Sequence, residues 1–250
     1  MILSFILLFI IGAAIGSFLN VCIYRLPRHE SIIAPGSHCP ACDAPLSWHD
    51  NIPLISYVWL RGKCRRCGQP ISIWYAVVEL LTAVLFVMAG WKFGTGAELL
   101  PPLLLISALI AVFFIDLEHY IIPDVIVLPA AAVGLGLMIA IQPHRWAELL
   151  VAGAVSGAFF LALALIKPGG MGIGDVKLVV ALGFFLGRTV VVALFTAFLL
   201  GALVGVALIA AGGRSRKSRL PFGPFLAVGA LLALFYGAPL MDKYLSLFGG

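Results

Sequence analysis

The stretch Leu99-Leu-Pro-Pro-Leu-Leu-Leu-Ile-Ser-Ala-Leu-Ile-Ala-Val-Phe-Phe-Ile-Asp116-Leu-Glu-His-Tyr-Ile-Ile-Pro-Asp124 carries the pattern that the rest of the chain repeats. No charge interrupts it from Leu99 to Ile115, and then Asp116, Glu118 and Asp124 arrive together. A helix needs roughly 20 mainly apolar residues to cross a bilayer, so this run reads as a span with acids at its edge. The composition says the same of the whole chain. Of its 250 residues, 62% are hydrophobic and only 11% are charged, with a mean hydropathy of +1.13. An ordinary soluble chain carries about 25% charged and about 45–50% apolar residues. A soluble shape is excluded, and so is a large extramembrane domain. The reading is an all-α polytopic membrane protein.

Working outward, apolar runs recur at about 1–23, 74–91, 99–115, 124–142, 147–166, 176–187, 189–211 and 222–240. About eight transmembrane helices are therefore expected, with one small cytoplasmic module between the first and second. The domain division is 1–24 as the first helix, 25–73 as the module, and 74–250 as the helical bundle. The break at Arg188 asks two helices to turn almost without a loop. A single long tilted helix there is the competing reading. No basic residue precedes the first run, whereas Arg25 and Arg28 follow it, so it reads as an uncleaved span rather than a signal peptide.

Alternating eight spans from an outside N-terminus puts Arg25, Arg28, Arg61, Lys63, Arg65, Arg66, Lys167, Lys177, Arg214, Arg216, Lys217 and Arg219 on the inner side. Only Lys92, Arg145, Arg188 and Lys243 fall outside. That bias is the positive-inside signature. The net charge of +5 then belongs to orientation and to anionic membrane lipids, not to nucleic acid. Small-residue pairs such as Gly12/Gly16, Gly153/Gly157, Gly183/Gly187 and Gly201/Gly205 point to a tightly packed bundle.

Residues 25–73 differ in kind, rich in proline, charge and cysteine. Cys39-Pro-Ala-Cys42 and Cys64-Arg-Arg-Cys67 are two CxxC knuckles, a spacing that lets four thiolates close around one structural Zn²⁺. Disulfides or a redox-active pair are the alternative, disfavoured on a cytoplasmic side where thiols stay reduced. Lys63, Arg65 and Arg66 lie beside the second knuckle and would offset its charge. Metal binding would supply the stability that so small a module lacks. Cys22, within the first run, reads as a small buried apolar residue.

In a chain this apolar, each acid near a span asks for an explanation. Asp116 closes one span and Asp175, in Met171-Gly-Ile-Gly-Asp175, opens another. Both fall at cytoplasmic ends, so they can meet. Two carboxylates in contact share a proton, and one then activates a water while the other polarises a carbonyl, which is aspartic-protease chemistry. Gly172 and Gly174 are expected to adopt positive φ and let a substrate strand approach. Helix capping is the competing explanation for Asp175 and for Asp124, which is also the rival second acid. Glu118 and His119 read as solvated loop residues. Glu79 either sits at the inner interface or lines a polar cavity.

These residues together resemble the type IV prepilin peptidases, bacterial inner-membrane GxGD aspartic proteases. The resemblance rests on Gly16-Ser-Phe-Leu-Asn-Val21, Tyr24-Arg-Leu-Pro27, both knuckles, Asn51-Ile-Pro53 with Ser56, and Leu60-Arg-Gly62. It continues through Val78-Glu-Leu80, Asp116 with Ile122-Pro-Asp124, Gly172-Ile-Gly-Asp175 with Lys177, and Pro221-Phe-Gly-Pro224. One departure is local: Trp74-Tyr-Ala76 stands where the family usually reads Arg-Tyr-Pro. The resemblance implies Asp116 and Asp175 as the catalytic pair. It implies cleavage of the basic leader of type IV prepilins or type II secretion pseudopilins at the cytoplasmic face. It also implies N-methylation of the new N-terminal residue from S-adenosylmethionine, although no glycine-rich methyl-donor fingerprint marks a cofactor-binding site. Two other classes compete on the residues alone: a proton-coupled transporter, and a zinc-dependent membrane scaffold with the aspartates as caps. A carrier needs ionisable groups near the bilayer midplane, and these acids lie at one face.

Overall fold

The computed structural model describes residues 2–166, 171–211 and 220–248. Lys167 and the basic run Arg214, Arg216, Lys217 and Arg219, which weigh in the orientation argument, lie outside the described residues. Among the described residues the structure is helical, with α1 at Ile2–Arg25, α2 at Ile55–Trp59, α3 at Ile73–Phe93, α4 at Leu100–His119 and α5 at Asp124–Ile141. It continues with α6 at Trp146–Ile166, α7 at Ile173–Leu186, α8 at Val190–Ala210 and α9 at Gly223–Phe248. The described strand-like pairings are the isolated bridges His38–Pro45 and Lys63–Pro70. Outward faces stay apolar, with Ile10, Leu128, Val155 and Phe195 all exposed. A helix that is hydrophobic all round belongs in a membrane or a core.

Among the described residues, seven stretches are long and apolar enough to cross a membrane, one of them the 38-residue segment Ile173–Ala210. That segment is two helices. Arg188 N donates to Glu148 Oε1 at the start of α6 (2.9 Å), and further along Phe198 packs on Phe160 with centroids 5.6 Å apart. So α8 runs parallel to α6. In contrast, Gly183 lies against Gly153 and Val180 against Gly157, so α7 runs antiparallel to α6. The chain therefore reverses between α7 and α8, at Gly187, whose φ of 56° favours glycine. The long tilted helix is thereby excluded. With 14 residues, α7 spans only about 21 Å, short of the roughly 30 Å hydrocarbon core, so length alone does not count it as a separate span.

Boundaries shift elsewhere. α4 runs on through Asp116 to His119, so Glu118 and His119 are helical rather than loop residues. It stops at Tyr120, which takes a left-handed conformation (φ 59°) as its N–H bonds back to Asp116 O, and Pro123 follows. α9 extends well beyond residue 240.

The chain divides into two compact units, Met1–Leu99 and Leu100–Gly250. In the first, α1 packs on α3 through two glycines. A Cβ on Gly12 or Gly16 would fall 2.6 Å from the Cα of Ala83 or Glu79 respectively. The polar module connects these two helices. In the second unit, Leu109, Val112, Val127, Phe160, Val179, Leu182, Ala193 and Leu226 form one core. A ladder of Phe160, Phe198, Phe222 and Phe225 links α6, α8 and α9.

Candidate active site and metal centre

The second unit brings Asp116 and Asp175 to one end of the bundle. Asp116 lies in the last turn of α4 and Asp175 in the first turn of α7. The link after α4 carries Ile122 onto Gly174, where a Cβ would come 2.9 Å from that of Ile122. Both acids are buried, 5% and 8% exposed, and Asp175 feels the charge of Asp116.

Each carboxylate is held by one glycine N–H. Gly223 N, opening α9, donates to Asp116 Oδ2 at 2.8 Å, and Gly172 N donates to Asp175 Oδ2 at 3.0 Å. Asp116 closes its own helix, where the dipole opposes a negative charge, but it faces the N-terminus of α9, where the dipole favours one. Asp175 is not the N-cap residue itself, but it does cap the helix, as the N3 acid of a capping box. The cap position belongs to Gly172, and Asp175 sits three residues in, reaching back to it.

The expected positive φ at Gly172 and Gly174 does not occur. Gly172 has φ −81° and Gly174 lies inside α7. What glycine supplies at 174 is the absent side chain, which lets Ile122 close against the helix. The rival acid Asp124 is engaged elsewhere, paired with Lys177 at 2.6 Å with both side chains largely solvated. Glu118 is exposed, whereas His119 Nε2 is a buried nitrogen without a hydrogen-bond partner among the described residues. His119 is three residues on from Asp116, hence on the same helix face. Neither the Gly223 contact nor the His119 orphan was visible in the sequence as a role, although Pro221-Phe-Gly-Pro224 marked the segment.

In the first unit the two knuckles share one backbone pattern. Cys39 N bonds Ala44 O and Asp43 N bonds Cys39 O; equivalently, Cys64 N bonds Gln69 O and Gly68 N bonds Cys64 O. Asp43 and Gly68 fill the same left-handed position (φ 53° and 71°). The Sγ atoms of Cys39, Cys42, Cys64 and Cys67 all lie within 4.8 Å of one another, with Cys39 and Cys67 at 3.9 Å. A Zn–S bond of about 2.3 Å in a tetrahedron requires sulfur separations of about 3.8 Å, so the four thiols fit the ion. Backbone N–H groups of Cys67 and Arg66 pull the Cys64 thiol down to about 6. Against the N–H of Ala44, desolvation and the neighbouring Cys67 and Cys39 push Cys42 up to about 11. Ionising all four together would need a cation between them. Arg65 does not supply it, because its guanidinium pairs with Asp50 at 2.7 Å.

Comparison with known proteins follows the same two units. Residues 10–93 match the Bacterial Peptidase A24 N-terminal domain, and residues 103–206 match the Type IV leader peptidase family. A relative from Bacillus subtilis (strain 168) is 40% identical over 246 residues, 96% of this chain and 98% of its own length. The chain belongs to the type IV leader peptidase family. Further relatives are those of Xanthomonas campestris pv. campestris (37% over 270 residues, 96% and 93% covered) and Aeromonas hydrophila (36% over 277 residues, 98% and 95%). All three bear the name prepilin leader peptidase/N-methyltransferase. No solved structure matches. The aspartate pair falls within the part matched to the leader peptidase family, and the four cysteines within the N-terminal domain.

Proposed function

We propose that this family member is a membrane aspartic endopeptidase that removes the leader of prepilins or type II secretion pseudopilins and N-methylates the residue it exposes. The observation that carries the first activity is the buried pair Asp116 and Asp175, each with one oxygen fixed by a glycine N–H. One carboxylate, ionised, takes a proton from the attacking water. The other, protonated, hydrogen-bonds the scissile carbonyl and then passes its proton to the leaving amine. Burial keeps bulk water from competing for these bonds. The names of the relatives support both activities and give no support to a transporter or scaffold.

Cys39, Cys42, Cys64 and Cys67 hold a structural Zn²⁺ in this reading, and S-adenosylmethionine supplies the methyl group. The arginine and lysine bias supports eight crossings of the bacterial inner membrane, with the N-terminus outside and with the acids and the module at the cytoplasmic face. A basic leader is drawn to the anionic inner surface, so its scissile bond arrives at the depth of the acids. The test is Asp116→Asn and Asp175→Asn in detergent-solubilised protein incubated with a prepilin and read by intact mass. Each variant should lose leader cleavage by roughly 10²–10⁴-fold, with zinc content unchanged. Retained cleavage in either one would overturn the assignment.

A further inference from the structure

Among the described residues, the buried acids are Asp116, Asp175 and Glu79. The first two share the site above, and Glu79 has no part in it. Glu79 lies in the second turn of α3 and is 8% exposed, between Val78 (1%) and the fully buried Thr82. Its Oε2 accepts the N–H of Leu54 at 2.8 Å, and the Ser17 hydroxyl bonds it as well. Both donors are neutral. No described lysine, arginine or histidine pairs with it. Arg25, the buried cation of the same unit, directs its guanidinium instead to the carbonyls of Ser31 (2.9 Å) and Gly36 (3.2 Å).

The surroundings are built rather than incidental. Leu54 sits at φ 62° and ψ −47°, a conformation that a branched residue avoids. Bonds from Ile52 N to Ser56 Oγ (3.0 Å) and from Ser56 Oγ to His49 O (2.8 Å) hold the turn around it. Backbone strain of this kind persists where surrounding structure enforces it, often at functional sites. Asn20, one turn beyond Ser17 on α1, donates to Tyr75 O at 3.0 Å, one turn before Glu79 on α3. Ser17, Asn20 and Glu79 thus form a polar shelf between two otherwise apolar helices. A buried carboxylate with neutral partners alone is costly and is complementary to an incoming cation.

The two activities in the relatives' names ask for two sites, and the aspartate pair serves hydrolysis. N-methylation must handle the α-ammonium that cleavage exposes. We propose that Glu79, with Ser17 and Asn20 beside it, is the acceptor site that holds this ammonium for methylation. The proposal rests on the peptidase and methyltransferase reading. The carboxylate takes one proton from the ammonium, which frees the nitrogen lone pair. The nitrogen–carbon bond then forms to the methyl group of the sulfonium donor as its carbon–sulfur bond breaks. A neutral thioether leaves, the product is a secondary ammonium, and Glu79 returns its proton to solvent.

The test uses the full chain in detergent and two peptides with the mature N-terminal sequence, one with a free α-amine and one N-acetylated. The wild type should bind the free amine on the order of tenfold more tightly, as a charge-assisted bond requires. Glu79→Gln keeps an acceptor oxygen for Leu54 but loses the charge. It should abolish that preference and lower the methylated fraction of cleaved product by about tenfold or more, while Glu79→Asp retains part of both. An unchanged preference in Glu79→Gln overturns the proposal. So does loss of zinc and of protease resistance in that variant, which would make Glu79 a tie for the turn. A wild type that cleaves but never adds a methyl group overturns the underlying reading as well; one that methylates without amine preference overturns the acceptor site alone.

Discussion

At the scale of single residues, the proposed cleavage depends on where the Asp116 and Asp175 oxygens point, and the N–H of Gly223 holds one of them. A Cβ there would stand 2.7 Å from Asp116 Oδ2, the same atom that its N–H holds at 2.8 Å. Gly223→Ala should therefore push the carboxylate aside while leaving the fold standing. Misplacement by about 1 Å costs on the order of a hundredfold in rate, so leader cleavage should fall by that order with the thermal midpoint little changed. Gly136→Ala is the control, because nothing lies within 4 Å of its added methyl. Equal activity in both variants would remove Gly223 from the site. As candidates, Asp116, Asp175 and the four cysteines were legible in the sequence because charge and thiol are scarce in this chain, so their spacing stands out. The bond from Gly223 to Asp116 was not, since residues 107 apart meet only after α4 and α9 have packed. Nor could spacing choose between Asp124 and Asp175. What supports Asp175 over Asp124 is tertiary: Asp175 is buried, whereas Asp124 pairs with Lys177 at the surface.

At the scale of elements, the tight reversal between α7 and α8 needs something to hold it. Glu148 does so from α6: Oε1 accepts Arg188 N at 2.9 Å, and Arg145 Nε donates to Oε2 at 3.1 Å. Gly187 leaves room for this clip, for a Cβ there would run into Glu148. The pair is about a third exposed, with side chains 27% and 34% accessible, so its charge is partly screened. Glu148→Gln should cost only about 1 kcal/mol, read as a lower unfolding midpoint in detergent. Cleavage should survive, because the clip lies at the opposite end of α7 from Asp175. Loss of cleavage without loss of stability would mean that the turn does more than close the helix pair. Helix positions were readable from hydropathy alone, since lipid rewards an apolar surface all round. Helix ends were not. α4 keeps Asp116 within its last turn because Tyr120 tolerates the left-handed cap, a choice that hydropathy does not encode.

At the scale of the whole molecule, the chain combines parts stabilised by different means. The helices close their own backbone hydrogen bonds, as a bilayer demands, whereas the knuckle module has little apolar core beyond its four clustered thiols. Removing the proposed zinc should therefore act locally. Chelation should expose residues 39–67 to protease while helical content and the Asp116/Asp175 environment persist, as seen by limited proteolysis beside circular dichroism. Acid should act in the same direction. Cys64 is lowered from 9.0 to about 6 in the folded module, so its thiolate favours the folded form fully above the unfolded value. That contribution declines as pH falls from 9.0 towards about 6 and is gone below it. Proton competition for the ligands adds to the loss. Zinc release to a chelator should thus accelerate as pH drops, with the module opening first and the helical signal unchanged. A pH-independent release rate, or simultaneous loss of module and helices, would show that the thiols do not hold this part of the chain together.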